Sequence, residues 1–280
     1  MLEARNISFS YGNKGSGRIL DGISFKIQPE DFIAIVGASG SGKTTLVKHM
    51  NGLLKATSGE LLYNGQDVYD KSFRISNLRK EVGLVFQYPE HQLFKQTVLD
   101  DAMYGPLNLG MTEEAARETA QNALALLEIE ENLWSHSPTE LSGGQKRRVA
   151  IAGILAMNPR VLVLDEPSAG LDPETKHKLF CTINRIRQER GLAVVLVSHH
   201  MEDVVEYANM VWVMNNGHIE ICGAPDEVFS NVDELIDINI GIPMITEVTY
   251  KLMKSGFQID RAAVSVDQAE SLIMDALERG

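Results

Sequence analysis

Apolar and polar residues alternate through Ala4-Arg5-Asn6-Ile7-Ser8-Phe9-Ser10-Tyr11 and again through Ile23-Ser24-Phe25-Lys26-Ile27. A period of two predicts antiparallel strands with one wet face, here joined by a loop over residues 12–17. From residue 31 the pattern changes. Residues 31–36, 82–86, 161–164 and 193–197 are nearly continuous apolar runs, as expected of strands buried on both faces. Helical patterns lie between them, over 44–54, 145–157 and 173–190. A further helix is expected to start at Thr112 as N-cap, with Glu113 and Glu114 in its first turn, and to run through Leu127. Buried strands alternating with helices predict an α/β fold with a parallel sheet, preceded by a small antiparallel β-subdomain. Apolar residues 211–214, then Asn215-Asn216-Gly217, then 218–221 read as a hairpin.

After residue 224 the character shifts again. Pro243 opens a predicted helix to Ser255. Ser265-Val266-Asp267-Gln268 fits a capping box, followed by a helical stripe of Ala269, Leu272, Ile273, Ala276 and Leu277. Residues 225–280 carry 11 acidic and 4 basic residues, a net of −7, against −5 for residues 1–224. The expected organisation is a cassette over 1–224, with a helical subdomain at about 88–158, and a helical extension over 225–280.

The 280 residues, 44% hydrophobic and 23% charged, are ordinary globular usage with enough chain for a sizeable core. A net charge of −12 argues against a nucleic-acid partner. Cys181 and Cys222 make neither a disulfide framework nor a cysteine zinc site, which fits a reducing compartment. No apolar run approaches the ~20 residues of a membrane span. The N-terminal MLEARNISFSY lacks the basic start and apolar core of a signal peptide.

Three stretches carry chemistry. Gly37-Ala38-Ser39-Gly40-Ser41-Gly42-Lys43-Thr44, followed by Thr45, fits G-x-x-x-x-G-K-[ST] between a buried strand and a helix. Glycines there let the backbone wrap phosphate oxygens, and helix N-terminal amides point at the anion. Lys43 is placed to reach β- and γ-phosphates and the Thr44 hydroxyl to ligate Mg²⁺. Asp165 and Glu166 end the strand over 161–164, where ligands of parallel sheets sit. Asp165 can orient Mg²⁺ and Glu166 can polarise an attacking water. Ser142-Gly143-Gly144-Gln145, at the start of the helix with Lys146-Arg147-Arg148, form a second anion site or an ordinary serine cap with a Gly-Gly hinge.

Taken in order, GASGSGKTT, Gln87, LSGGQ (141–145), VLVLDEP, SAGLD (168–172) and His199 resemble the nucleotide-binding domain of an ABC transporter over residues 1 to about 224. The resemblance implies a P-loop NTPase fold and ATP hydrolysis with Mg²⁺ held by Thr44, Gln87 and Asp165. It implies head-to-tail pairing in which the LSGGQ of one chain closes over ATP on the other. Tyr11 would stack on adenine, Gln87 would sense the γ-phosphate, Asp172 would cross the dimer interface and His199 would contact the γ-phosphate. A DNA-repair or chromosome ATPase of the same superfamily would need a long coiled coil, yet Lys43 and Leu141 are 98 residues apart without heptads. A translation-associated ATPase would carry two cassettes.

Residues 86–94, FQYPEHQLF, together with the signature region and the acidic tail, resemble the energy-coupling factor transporters, and within them the second of two paired ATPase subunits. Ser168 and Lys146 depart from that pattern without removing a ligand. The resemblance implies a second ATPase subunit, in a heterodimer or a homodimer, a transmembrane coupling subunit and a substrate-binding membrane subunit for vitamins or transition-metal ions. The chain would then sit peripherally on the cytoplasmic face of the membrane. The stretch from Gln87 to Tyr104 would receive coupling helices, and the tail would either dimerise or pack on the cassette. A dedicated ABC importer with its own permease is the alternative.

Overall fold

The computed structural model of the chain describes residues 1–12 and 17–279. In chain order the strands and α-helices are β1 (Leu2–Phe9), β2 (Leu20–Ile27), β3 (Phe32–Gly37), α1 (Lys43–Met50), β4 (Ser58–Tyr63), β5 (Gln66–Asp67), α2 (Ile75–Glu81), β6 (Val82–Val85), α3 (Val98–Asn108), α4 (Glu113–Leu126), α5 (Gly143–Leu155), β7 (Val161–Asp165), α6 (Pro173–Arg190), β8 (Ala193–Val197), α7 (Met201–Tyr207), β9 (Met210–Asn215), β10 (His218–Gly223), α8 (Pro225–Ser230), α9 (Val232–Asp237), α10 (Met244–Lys254) and α11 (Val266–Arg279).

Two sheets result. The antiparallel one runs β2-β1-β4-β5 and holds the alternating N-terminal segments. The larger runs β10-β9-β3-β8-β7-β6, parallel from β9 to β6, with β10 added antiparallel by the Asn216-Gly217 hairpin. The continuous apolar runs are explained by what each face meets. On β7, Leu162 and Leu164 enter a core shared with α3, α4, α5 and α6, while Val161 and Val163 face the antiparallel sheet. On β8, Val194 and Leu196 take the first side and Val195 and Val197 the second. Both faces are covered, so apart from Asp165 at the carboxyl end of β7 every position on these two strands is apolar.

Register fixes the functional edge. Val85 pairs with Leu164, Asp165 with Val197, and Ile35 with Val197. The carboxyl ends of β3, β6, β7 and β8 are therefore level, and the loops leaving them share one rim.

The structure departs from the pattern reading in several places. The helix expected over 44–54 ends at Met50, because Gly52 turns the chain at φ +68° against Ile75 and Leu78. Half of the expected Ser265 capping box is present: the Gln268 amide donates to Ser265 Oγ at 3.3 Å, but Gln268 Oε1 accepts from Val264 N–H. On α11, Ala269 and Ala276 are buried whereas Leu277 is 60% exposed. The sequence pattern assigns no individual element to β4, β5, α2, α7, α8 or α9, and covers α3 only within the helical subdomain expected at about 88–158. Of the loop expected at 12–17, residues 13–16 lie outside the described residues. The tail shares a core with the larger sheet: Val228, Phe229, Leu235, Ile240 and Val264 pack with Ala34, Val36, Val211 and Val213.

Candidate functional site

The phosphate loop leaves β3 and opens α1. A Cβ on Gly37 would lie 2.4 Å from the Met214 carbonyl oxygen and 2.7 Å from Ser41 Oγ, and one on Gly42 2.9 Å from the Ile19 carbonyl oxygen. Only glycine lets this loop lie so close to the rest of the sheet edge. Lys43 is 7% exposed and its Nζ donates to the carbonyls of Gly37 (2.8 Å) and Ala38 (2.9 Å). That uses two of its three donors and leaves the third for a ligand. Burial pushes the Lys43 ammonium below its ordinary pKa, with Glu166 and Asp165 pulling it back.

Asp165 ends β7 and is 4% exposed. Burial pushes its carboxyl up, opposed by a hydrogen bond from Thr44 and the charge of Lys43. A buried carboxyl with a hydroxyl beside it and too little positive charge is a hard-oxygen donor set suited to a divalent cation. Glu166 follows in the left-handed region at φ 50°, a strained conformation for a non-glycine residue. This bend aims its carboxylate across the rim. Oε2 accepts from Gln87 Nε2 at 2.7 Å, and Oε1 lies 2.9 Å from His199 Nε2. A carboxylate has lone pairs to spare, so this bracketing fixes its direction without using up its accepting capacity. Ser198, which the pattern reading passed over, pins the turn to His199: its hydroxyl accepts from His200 N–H at 3.0 Å.

Tyr11, Ile19, Ser39, Gly40, Gly42, Lys43, Thr44, Thr45, Gln87, Glu166 and His199 line one cleft of about 560 Å³. Tyr11 packs edge-on against Phe9 with centroids 4.8 Å apart, its hydroxyl 3.5 Å from Thr45 Oγ1. Ser41 is buried and its Oγ has no hydrogen-bond partner. Ile19 was missed from sequence because it carries no chemistry of its own.

The second anion motif does not line this cleft. Ser142 caps α5: its Oγ accepts from Gln145 N–H at 3.3 Å, and Gln145 Oε1 accepts from Ser142 N–H at 2.9 Å. Asp172 caps α6 by accepting from Thr175 N–H at 3.0 Å. Gly144 lies under α6, where a Cβ would come within 3.3 Å of Thr175 Cγ2.

A buried ion pair ties the two ends together. Arg147 reaches Glu90 with Nε (3.2 Å) and Nη2 (2.9 Å), and donates through Nη1 to the Ala169 carbonyl at 2.6 Å. Its side chain is 4% exposed. One guanidinium thus joins the segment after Gln87, the helix α5 and the loop between Glu166 and Asp172.

A phosphate loop, a buried Mg²⁺-type carboxylate, a bracketed glutamate and a histidine on one rim are the parts of a nucleotide hydrolase. The ABC transporter family model matches residues 20–169, more than half of the chain. The chain belongs to the ABC transporter family. Curated relatives place it further. It is 44% identical over 275 residues to the energy-coupling factor transporter ATP-binding protein EcfA2 of Caldanaerobacter subterraneus subsp. tengcongensis, covering 98% of this chain and 96% of the relative. The protein of the same name from Clostridioides difficile is 42% identical, covering 96% and 95%. Among solved structures, cbiO1 from Clostridium perfringens, part of the ABC transporter complex cbiONQ, superposes with a TM-score of 0.75 at 35% identity, covering 89% of this chain and 98% of that one. The cassette MJ0796, solved as a dimer in a post-hydrolysis state bound to ADP and Pi, has a TM-score of 0.72 at 28% identity, covering 80% and 99%. This ABC protein is an ATP-binding, ATP-hydrolysing subunit of the energy-coupling factor type.

Proposed function

We propose that this chain is one of two paired ATPases that drive an importer of vitamins or transition-metal ions through a transmembrane coupling subunit, with an exchangeable substrate-binding membrane subunit. The bracketing of Glu166 by Gln87 and His199 beside the phosphate loop is the observation that carries the mechanism. ATP lies with its phosphates over residues 37–45 and its adenine at Tyr11. Thr44, Asp165 and the Gln87 amide oxygen would hold Mg²⁺, which would supply positive charge against the phosphates. Lys43 supplies a fixed positive charge, Glu166 accepts a proton from the attacking water, and His199 holds Glu166 and meets the γ-phosphate.

Pairing supplies what the cleft lacks. Ser142, Gly143, Gly144 and Gln145 of one ATPase close over the nucleotide of the other, and Asp172 crosses between them. Their self-capped state in the single chain supports this, since these groups stand ready away from their own cleft. A heterodimer is proposed from the EcfA2-type relatives, with residues 1–224 as the cassette, 88–158 as its helical subdomain and 225–280 as the extension. Among the described residues no helix is long and apolar enough to cross a membrane. The chain is placed peripherally, on the cytoplasmic face. The groove between Gln87 and Tyr104 receives coupling helices. Exposed Phe94 and Tyr104 meet there edge to face at 4.9 Å, with Lys95 Nζ over both rings at 5.2 and 4.7 Å. Steady-state ATPase assay of Glu166→Gln in the paired complex tests the reading. Turnover is expected to collapse while ATP still binds; near-normal turnover would reject it.

A further inference from the structure

Cys181 and Cys222 sit in very different chemical surroundings. His177 and Cys181 lie one turn apart on α6, and Glu206 and Tyr207 answer from the end of α7. Cys181 Sγ is 3.4 Å from His177 Nε2. On the other side of the ring, His177 Nδ1 lies 3.1 Å from the Tyr207 hydroxyl and 3.5 Å from Glu206 Oε1. The Tyr207 hydroxyl is also 3.8 Å from Cys181 Sγ and hydrogen-bonds Glu206. Burial, then these hydrogen bonds, push the phenol's pKa up, so Tyr207 stays a donor.

These contacts select a tautomer. With Tyr207 donating to Glu206, His177 Nδ1–H donates to the Tyr207 oxygen and the Glu206 carboxylate, and the Nε2 lone pair faces the thiol. A nucleophile, a base in contact with it and an acid orienting the base are the arrangement that activates a thiol. The helices are well held. Lys176 pairs with the buried Asp203 at 2.8 Å, and the Tyr207 ring packs on Phe32 and Phe180. Cys181 itself is exposed. Among the described residues no group of three or more His, Cys, Asp and Glu side chains could hold a metal, so the cluster reads as proton-transfer chemistry rather than ligation.

We infer that Cys181 is a modification site, activated by His177 and Glu206 for exchange with low-molecular-weight disulfides. His177 Nε2 takes the thiol proton. The thiolate attacks one sulfur of the disulfide, the new Cys181 S–S bond forms as the old S–S bond breaks, and the departing thiolate takes up the proton from His177. Cys181 is oxidised to a mixed disulfide and one half of the reagent is reduced to its thiol. The adduct sits where α6, capped by Asp172, meets α7, which follows His199.

Cys222 is the internal control. It is also exposed, but its Sγ donates to the Met210 thioether at 3.6 Å, and burial pushes its thiol up. The test treats the full-length chain with glutathione disulfide at neutral pH and follows each cysteine by peptide mass. Mixed disulfide is expected on Cys181 at least about tenfold faster than on Cys222. His177→Gln should slow Cys181 by about tenfold while Cys222 and the melting temperature stay unchanged. Equal rates at the two cysteines, or an unchanged Cys181 rate in folded His177→Gln, would overturn the assignment.

Discussion

The rim of the parallel sheet and the N-terminus of α5 are the two proposed anion sites, and they are finished to different degrees. At the rim, four strand ends made level by register bring Gln87, Lys43, Glu166 and His199 together around one cleft, with the buried Asp165 behind Thr44. At α5, Ser142 and Gln145 satisfy each other, and Asp172 satisfies Thr175 N–H. On the proposed function, a single chain therefore assembles the catalytic half of a site and leaves the second half capped and outside it. The buried Arg147, bonded to Glu90 and Ala169, is the rigid joint between the two halves.

That contrast can be broken from either side. The largest effect belongs to the rim: Glu166→Gln should lower turnover by roughly 10²–10⁴-fold in the paired complex, as loss of a general base does. Next comes the joint. Arg147→Ala strands a partly buried carboxylate and should cost about 3–5 kcal/mol in denaturant unfolding; a loss within that of an ordinary surface substitution would show that the joint bears little. Ser142→Ala removes a helix cap and should cost only about 1 kcal/mol of stability. A fall in turnover far beyond what that loss explains would separate its proposed role across the pair from its role as a cap. The smallest effect is on pH. Burial pushes the Glu90 carboxyl up, but the Arg147 hydrogen bonds outweigh it and hold the group below its ordinary value of 4.5. A depressed carboxyl stabilises the fold above that value and loses its contribution as pH falls below it. The melting temperature of the native chain should therefore drop more steeply below pH 4.5 than that of Glu90→Gln.

Most of the rim was legible in the sequence because its signals are local. A strand buried on both faces is a continuous apolar run, and each run leads into the residues proposed to do the chemistry: Gly37, Gln87, Asp165-Glu166 and His199. The bounds of α3, inside the expected helical subdomain at about 88–158, were not legible because the sequence pattern there is interrupted by Gly105 and Pro106. Tertiary packing overrides propensity there. Gly105 lets α3 approach α5 so closely that a Cβ would lie 3.3 Å from the Gly153 carbonyl oxygen. Its buried positions, Val98, Ala102, Met103 and Pro106, do keep a helical period. The Glu90–Arg147 pair was invisible for another reason: its members lie 57 residues apart in two separate stretches, and nothing local to either pairs them. Leu277 shows the reverse error, an apolar position in phase with the stripe yet left exposed.

The most direct test is ATP titration of the isolated chain by calorimetry, comparing Lys43→Ala with Ser142→Ala. Because only the rim is complete within one chain, Lys43→Ala should abolish measurable binding and Ser142→Ala should leave the affinity within about twofold, below a 1.4 kcal/mol tenfold step. Equal loss in both variants, or unchanged binding in Lys43→Ala, would contradict the division of the site between two chains.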